Sequence, residues 1–201
     1  MPPESNGQAS LMNEPSAIPA SLQARSCLVL GGARSGKSAF GQALAERSGR
    51  QAIYLATAAI WDGEMADRVA LHRAARDSRW RTIEEQLDLV GALQREARGD
   101  TIVLVDCLTL WLTNLMLGEA DADAEASRLV AAIADAPGPV IFVSNEVGAG
   151  IVPDNALARR FRDAQGRLNA AVARACDTVV LVTAGLPQLL KPSCMPDIDL
   201  R

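Results

Sequence analysis

The chain has 201 residues, 49% of them hydrophobic, and a net charge of -4 at pH 7, enough for one α/β domain with an ordinary core plus tails. The acidic balance argues against a nucleic-acid-binding surface spread over the whole protein, and no apolar run is long enough to span a membrane. Cys27, Cys107, Cys176 and Cys194 include no Cys-x-x-Cys pair, and with no basic-then-apolar leader they read as reduced thiols of a cytoplasmic protein, not a zinc site or disulfide frame.

Residues 1–24 hold Pro2, Pro3, Pro15 and Pro19 with no sustained periodicity and read as a flexible N-terminal extension. A short apolar run at 27–30 has the character of a buried strand. Helix formers occupy 39–47. Gln51–Ala56 is a second strand, ending at Thr57. After the Asp62-Gly63 turn a helix is expected over about 64–76. Thr82 and Glu85 have capping-box spacing and predict a helix through about Arg98. Thr101–Asp106 is a β-branched strand ending in a carboxylate. Helices fill 108–117 and 122–134, and the strand at 140–143 enters the polar run Ser144-Asn145-Glu146. Gly148, Gly150 and Pro153 lead to a long helix at about 155–175, followed by a last strand at 178–182. From about Pro187 onward the chain reads as surface or disordered. The domain is set at 25–191 and the C-terminal tail at 192–201. Apolar strands alternating with helices imply a mostly parallel sheet covered on both faces, with ligands bound beyond the carboxyl ends of the strands. That rim would hold Thr57, Asp106 and 144–146.

Between the first strand and first helix stands Gly31-Gly32-Ala33-Arg34-Ser35-Gly36-Lys37-Ser38. It matches Gly, any four residues, Gly, Lys, Ser/Thr, the phosphate-cradling P-loop. Glycines let successive N–H groups turn toward an anion, and the following helix adds its positive end. Lys37 would reach the outer phosphates and the Ser38 hydroxyl a magnesium ion. Asp106, ending an apolar strand downstream, is either a turn-capping acid or the second magnesium holder. No Asn-Lys-x-Asp run is present, which argues against a switch GTPase; a small-molecule kinase fits better. Arg159, Arg160, Arg162 and Arg167 are either a solvated helix face or cations for the transferring phosphoryl group.

His72 is the only histidine. On a helix, Arg68, His72 and Arg76 share one face. Such a cationic surround favours neutral imidazole and attracts phosphate. The two readings are a surface histidine on a basic helix and a nucleophile toward a nucleotide α-phosphorus, releasing pyrophosphate.

Several segments together resemble one family, the bifunctional adenosylcobinamide kinase/adenosylcobinamide-phosphate guanylyltransferases of cobalamin biosynthesis. They are the 31–38 loop; Tyr54-Leu55-Ala56-Thr57; Glu64-Met65-Ala66 with Arg68, His72, Arg73, Trp80, Arg81, Thr82 and Glu84; Asp106-Cys107-Leu108-Thr109 with Thr113-Asn114-Leu115; the run from Ser144 to Pro153; and Arg159, Phe161-Arg162-Asp163 and Gly166-Arg167-Leu168-Asn169. The resemblance implies a single RecA-like P-loop NTPase domain that assembles as a trimer. It implies phosphoryl transfer from ATP or GTP, with Mg2+, to the aminopropanol hydroxyl of adenosylcobinamide. GTP then guanylylates the enzyme, and GMP passes to adenosylcobinamide phosphate. By the same resemblance the guanylylated residue is His72. Nucleotide contacts fall on Gly31, Gly32, Ala33, Arg34, Ser35, Gly36, Lys37 and Ser38, on Ala56, Thr57 and Ala58, on Arg73, Ala74, Ala75 and Arg76, and on Glu84 and Asp106. The chain departs from the pattern at Ala170, where relatives often have Gln, at Asp106, where Glu is common, and in its leader. Two alternatives from the residues alone are a kinase without nucleotidyl transfer and a RecA-like regulatory ATPase.

Overall fold

The computed structural model describes residues 22–59 and 78–192. The expected helix at 64–76, most of the N-terminal extension and the last nine residues lie outside them.

Each inner strand is a mainly apolar run buried on both faces. They are β1 (Ser26–Gly31), β2 (Gln51–Ala56), β4 (Thr101–Asp106), β5 (Val140–Asn145) and β6 (Thr178–Thr183), with β-branched residues most frequent in β4 and β6. With β3 (Trp80–Glu84) and β7 (Leu186–Lys191) they form one seven-stranded sheet in the order β3-β2-β4-β5-β1-β6-β7. All pairs are parallel except β6–β7. The strand bearing Asp106 is thus separated from the P-loop strand by β5 alone.

Period-two alternation divides the core. Cys27 and Val29, Tyr54, Leu104, Ile141 and Val143 face α1 (Lys37–Arg47), which packs on them through Phe40, Leu44 and Ala45. Gly41 lets α1 lie close, since a Cβ there would meet Leu104 at 3.1 Å. Leu28 and Leu30, Ile53 and Leu55, Val103 and Val105, and Phe142 face the opposite way. They pack against α2 (Leu89–Glu96), α3 (Leu108–Leu117), α4 (Ala122–Asp135) and α5 (Ala156–Ala175). Among the described residues the helices therefore cover both faces, one with a single helix and the other with four. This is a mostly parallel α/β domain with the P-loop sequence between its first strand and first helix.

Two expectations are corrected. The helix expected from Thr82 does not form: Trp80–Glu84 is an edge strand in register with Ala52–Ala56. Trp80, Thr82 and Ile83 are strand formers, and a parallel partner outweighs a two-residue capping signal. Glu85 does accept backbone N–H groups, from Leu87 and Asp88, but it closes a turn. The helix starts later, capped by Asp88, whose carboxylate accepts from Gly91 N–H at 3.0 Å. The second correction concerns 187–191, expected as loose surface. An Ala184-Gly185 turn with φ of 51° and 81° reverses the chain into β7, the twist a two-residue hairpin needs. Pro187 is tolerated because β7 is an edge strand. Lys191 then donates its ammonium to the carbonyls of Ala173, Arg174 and Cys176, closing the end of α5.

Candidate active site

The loop at 31–38 leaves β1 and opens α1. Gly31 must be glycine, because a Cβ would come within 2.6 Å of the Val182 carbonyl. Gly36, at φ +94°, is the left-handed N-cap of α1, and no side chain caps that helix. Gly32, Ala33 and Arg34 are exposed and Ser35 is buried. The Lys37 ammonium lies across the loop, donating to the Gly32 carbonyl at 3.1 Å. The Ala184-Gly185 turn braces the loop from behind: Gly185 N–H donates to the Ser35 carbonyl at 2.9 Å, and its Cα lies 3.3 Å from where a Gly36 Cβ would stand.

Asp106 closes β4 two strands away, about 10 Å at ordinary strand spacing. The alternation that turns Leu104 toward α1 turns Asp106 the same way. Tyr54, from β2, donates its phenol to Asp106 Oδ2 at 3.0 Å. The Tyr54 ring is packed edge-on against Trp80, their centroids 6.2 Å apart. Burial, then the adjacent Asp106 carboxylate, push the Cys107 thiol up to about 11, while two backbone N–H groups and the Lys37 ammonium pull the other way. Lys37 and Asp106 thus act on a common neighbour.

Thr57 is fully buried and all its polar groups are engaged. Its hydroxyl donates to the Cys107 carbonyl (2.7 Å) and accepts from Cys107 N–H (2.9 Å). Its N–H donates to the Asp106 carbonyl, and its own carbonyl accepts from the Asn114 amide. It ties the ends of β2 and β4 together and holds Ala56 and Ala58 at the rim. Glu84 ends β3 beside Ala56 in register, four strands from β1 and so about 19 Å from the P-loop strand. His72, Arg73, Ala74, Ala75 and Arg76 lie outside the described residues. The described residues stop at Ala59 and resume at Ser78, just before the start of β3.

Of the four arginines offered as phosphoryl cations, three are otherwise engaged. Arg159 donates to the carbonyls of Pro153 and Asp154, Arg162 pairs with Asp163 at 2.9 Å, and Arg167 lies 3.5 Å from Asp123. Arg160 and Arg167 line a cavity of about 630 Å³ against α4, with Asp121 and Asp123. These serve the α4–α5 layer, on the sheet face opposite α1.

Sequence reasoning gave no role to Tyr54 or to the buried network behind β5. There the Ser144 hydroxyl donates to Asn169 Oδ1 (2.6 Å) and the fully buried Gln165 donates to both. Asn169 donates its own amide to the Asn145 carbonyl at 3.0 Å. Strand alternation, counted back from Asp106 and from Ser144, is the signal that would have found both.

The residues suit a magnesium triphosphate. Ser38 on the first turn of α1 and Asp106 Oδ1 are hard oxygen donors on one face of the sheet. Among the described residues no group of three or more His, Cys, Asp or Glu side chains is placed to hold a metal. Such an ion would be held by one or two protein oxygens plus phosphates and water, as magnesium usually is. Also among the described residues, no helix is long and apolar enough to cross a membrane, and Cys27, Cys107 and Cys176 are buried free thiols.

Known proteins resemble this chain over most of its length. Residues 27–190 match the model of the cobinamide kinase / cobinamide phosphate guanyltransferase family. The bifunctional adenosylcobalamin biosynthesis protein CobP of Pseudomonas aeruginosa is 49% identical over 166 residues, covering 82% of this chain and 96% of the relative. CobU of Escherichia coli, of the same description, is 41% identical over 179 residues, covering 82% and 98%. Among solved structures, the RadB recombinase superposes with a TM-score of 0.47 at 17% identity, over 78% of this chain and 73% of that one. With a family model covering most of its length and relatives matched nearly end to end, the chain belongs to the cobinamide kinase / cobinamide phosphate guanyltransferase family.

Proposed function

We propose that the chain carries out both reactions of its family on adenosylcobinamide, with Lys37 as the phosphate cation and His72 as the guanylyl carrier. The observation that carries the kinase half is the meeting of Lys37, Ser38 and Asp106 on one face of one rim, beside a left-handed Gly36 and a helix start with no side-chain cap. In that step the aminopropanol hydroxyl oxygen attacks the terminal phosphorus of ATP or GTP. The bond to the bridging oxygen breaks, the nucleoside diphosphate leaves, and the hydroxyl proton passes to solvent. Lys37 and the N–H groups of the loop lie against the oxygens on which charge accumulates. Ser38 and Asp106 would hold Mg2+, which when bound neutralises phosphate charge. Tyr54 would hold Asp106 in place for that duty through its bond to Oδ2. The corrinoid substrate and a trimeric assembly carry over from the family resemblance.

In the second step an imidazole nitrogen of His72 attacks the α-phosphorus of GTP and pyrophosphate leaves. A phosphate oxygen of adenosylcobinamide phosphate then takes the guanylyl group, freeing the histidine. Family membership and the cationic spacing of Arg68, Arg73 and Arg76 around the only histidine support this assignment. The test is incubation with GTP labelled at the α-phosphate, followed by denaturation. Acid-labile label retained by the wild type and absent from His72→Ala, with kinase turnover kept, is the expected result. Label persisting on His72→Ala would move the carrier elsewhere, and a wild type that never retains label would leave a kinase alone.

A further inference from the structure

An apolar groove of about 540 Å³ lies between the end of α3, the first turns of α5 and the loop that follows β5. Met116 and Leu117, Val147 and Pro153, and Leu157 and Phe161 line it. Leu117 and Leu157 are 59% and 61% exposed, and the same loop holds Ile151 and Val152 out at 98% and 62%. That loop is pinned at both ends. The Glu146 carboxylate accepts from Gly148 N–H at 2.7 Å, Arg159 donates to the carbonyls of Pro153 and Asp154, and Asn155 caps α5 by accepting from Ala158 N–H. Bonded backbone thus keeps these apolar side chains in water, and an apolar patch so held marks a binding surface.

The groove is continuous with the phosphate rim. α3 runs along that rim: its Thr109 hydroxyl accepts from Asn145 N–H at the end of β5, and its Asn114 amide donates to the Thr57 carbonyl just beyond β2. Val147 follows Glu146, whose N–H donates to the Gly31 carbonyl at 3.1 Å. Arg162, the one charged residue lining the groove, is paired with Asp163 at 2.9 Å, so the surface offers little to a nucleotide's phosphates. Thr113 and Asn155 add hydrogen-bonding groups to its wall. Ten residues line it, too few for a standard protein interface, which takes roughly 20–30 a side. A kinase working at this rim must still seat its acceptor. We infer that the corrin ring of adenosylcobinamide docks by one edge in this groove, its methyl groups on Leu117, Leu157 and Phe161 and its carboxamide arms toward Thr113 and Asn155. The aminopropanol arm then extends over the end of β5 to the terminal phosphate. The inference rests on the kinase reading above and adds a surface for the acceptor.

Leu157→Glu and Leu117→Lys test it. Both residues are exposed, and a carboxylate in the first turn of α5 or an ammonium in the last turn of α3 suits the helix dipole, so both variants should keep the wild-type melting temperature. Phosphorylation is followed with adenosylcobinamide varied at saturating ATP, alongside calorimetric titration with a non-hydrolysable GTP analogue and sedimentation mass. Loss of one leucine's burial predicts that each variant raises KM for adenosylcobinamide about 10-fold or more while kcat holds. Analogue affinity should stay within about twofold, and the mass should not change. A wild-type KM in either variant, or an equal loss of analogue affinity, would overturn the assignment. A changed mass would overturn it too, making the groove a contact between copies of this chain. A wild type that binds the analogue but phosphorylates no adenosylcobinamide would instead refute the kinase reading on which the inference depends.

Discussion

Two stretches of the same rim are built in opposite ways. At the ends of β2 and β4, Thr57, Cys107 and Asn114 bond one another until no polar atom of Thr57 remains available. At the ends of β1 and β5, among the described residues, the Asn145 carboxamide oxygen has no partner, Lys37 bonds to a loop carbonyl, and α1 begins with no side-chain cap. Asp88, Asp121 and Asn155 cap α2, α4 and α5 with their side chains, whereas α3, like α1, begins with no side-chain cap. Satisfied polar groups fix a geometry. Unsatisfied ones await a partner the chain does not supply. The first stretch therefore reads as a hinge pin for the rim and the second as its receiving surface.

The sharpest way to break this division is at Lys37. Lys37→Ala removes a cation from the receiving stretch and should cost kcat/KM at least about 100-fold in phosphoryl transfer and in guanylyl transfer, with the melting temperature kept. Near-normal turnover in either assay would mean that half of the chemistry does not use the loop. Thr57→Val probes the pinning stretch and should do the reverse. It strips a buried hydroxyl from two Cys107 groups, a loss of about 1–3 kcal/mol, or about 2–4 °C in Tm for each kcal/mol in a chain this long. Nucleotide affinity in the folded fraction should hold; a selective fall in affinity with unchanged Tm would place Thr57 among the receiving groups. The smallest effect is expected far from the rim, at Asp177. Burial raises its pKa, but the N–H groups of Arg25 and Ser26, the Ser26 hydroxyl and Lys191 outweigh it, so the net value is below the usual 3.8. A depressed acid stabilises the fold above its unfolded value and loses that contribution as the pH falls through its folded value. Urea midpoints of wild type and Asp177→Asn should thus differ slightly at pH 7 and converge in acid; a gap that widens on acidification would reverse the sign.

The loop and inner strands were legible because both signals are local. Gly31 to Ser38 is a fixed spacing, and 101–106 can only be a strand buried on two faces. The placement of Asp106 at the P-loop rim followed from the rule that parallel sheets bind at their carboxyl ends. Trp80–Glu84 was misread because an edge strand has half a ladder and mixed burial, leaving Thr82 and Glu85 to imitate a cap. β7 was missed because its pairing depends on a turn with an alanine in left-handed conformation, where sequence rules look for Asn-Gly. Tyr54 and Asn145 were visible as letters in motifs, but their roles depend on which face of the sheet each one takes. The distinction between Thr57 and Asn145, both polar and both at strand ends, is tertiary: the Thr57 hydroxyl meets Cys107, while the Asn145 carboxamide oxygen is buried without a partner.

The brace between Gly185 and Ser35 has a consequence for the order in which the molecule is completed. In a trans peptide the carbonyl and the following amide point in opposite directions, so anchoring the Ser35 oxygen outward obliges the Gly36 amide to face the hollow where phosphate would lie. That anchor belongs to the β6–β7 hairpin, which follows the loop in the chain with four other strands between them. On a ribosome the phosphate cradle thus emerges before the hairpin that sets its shape.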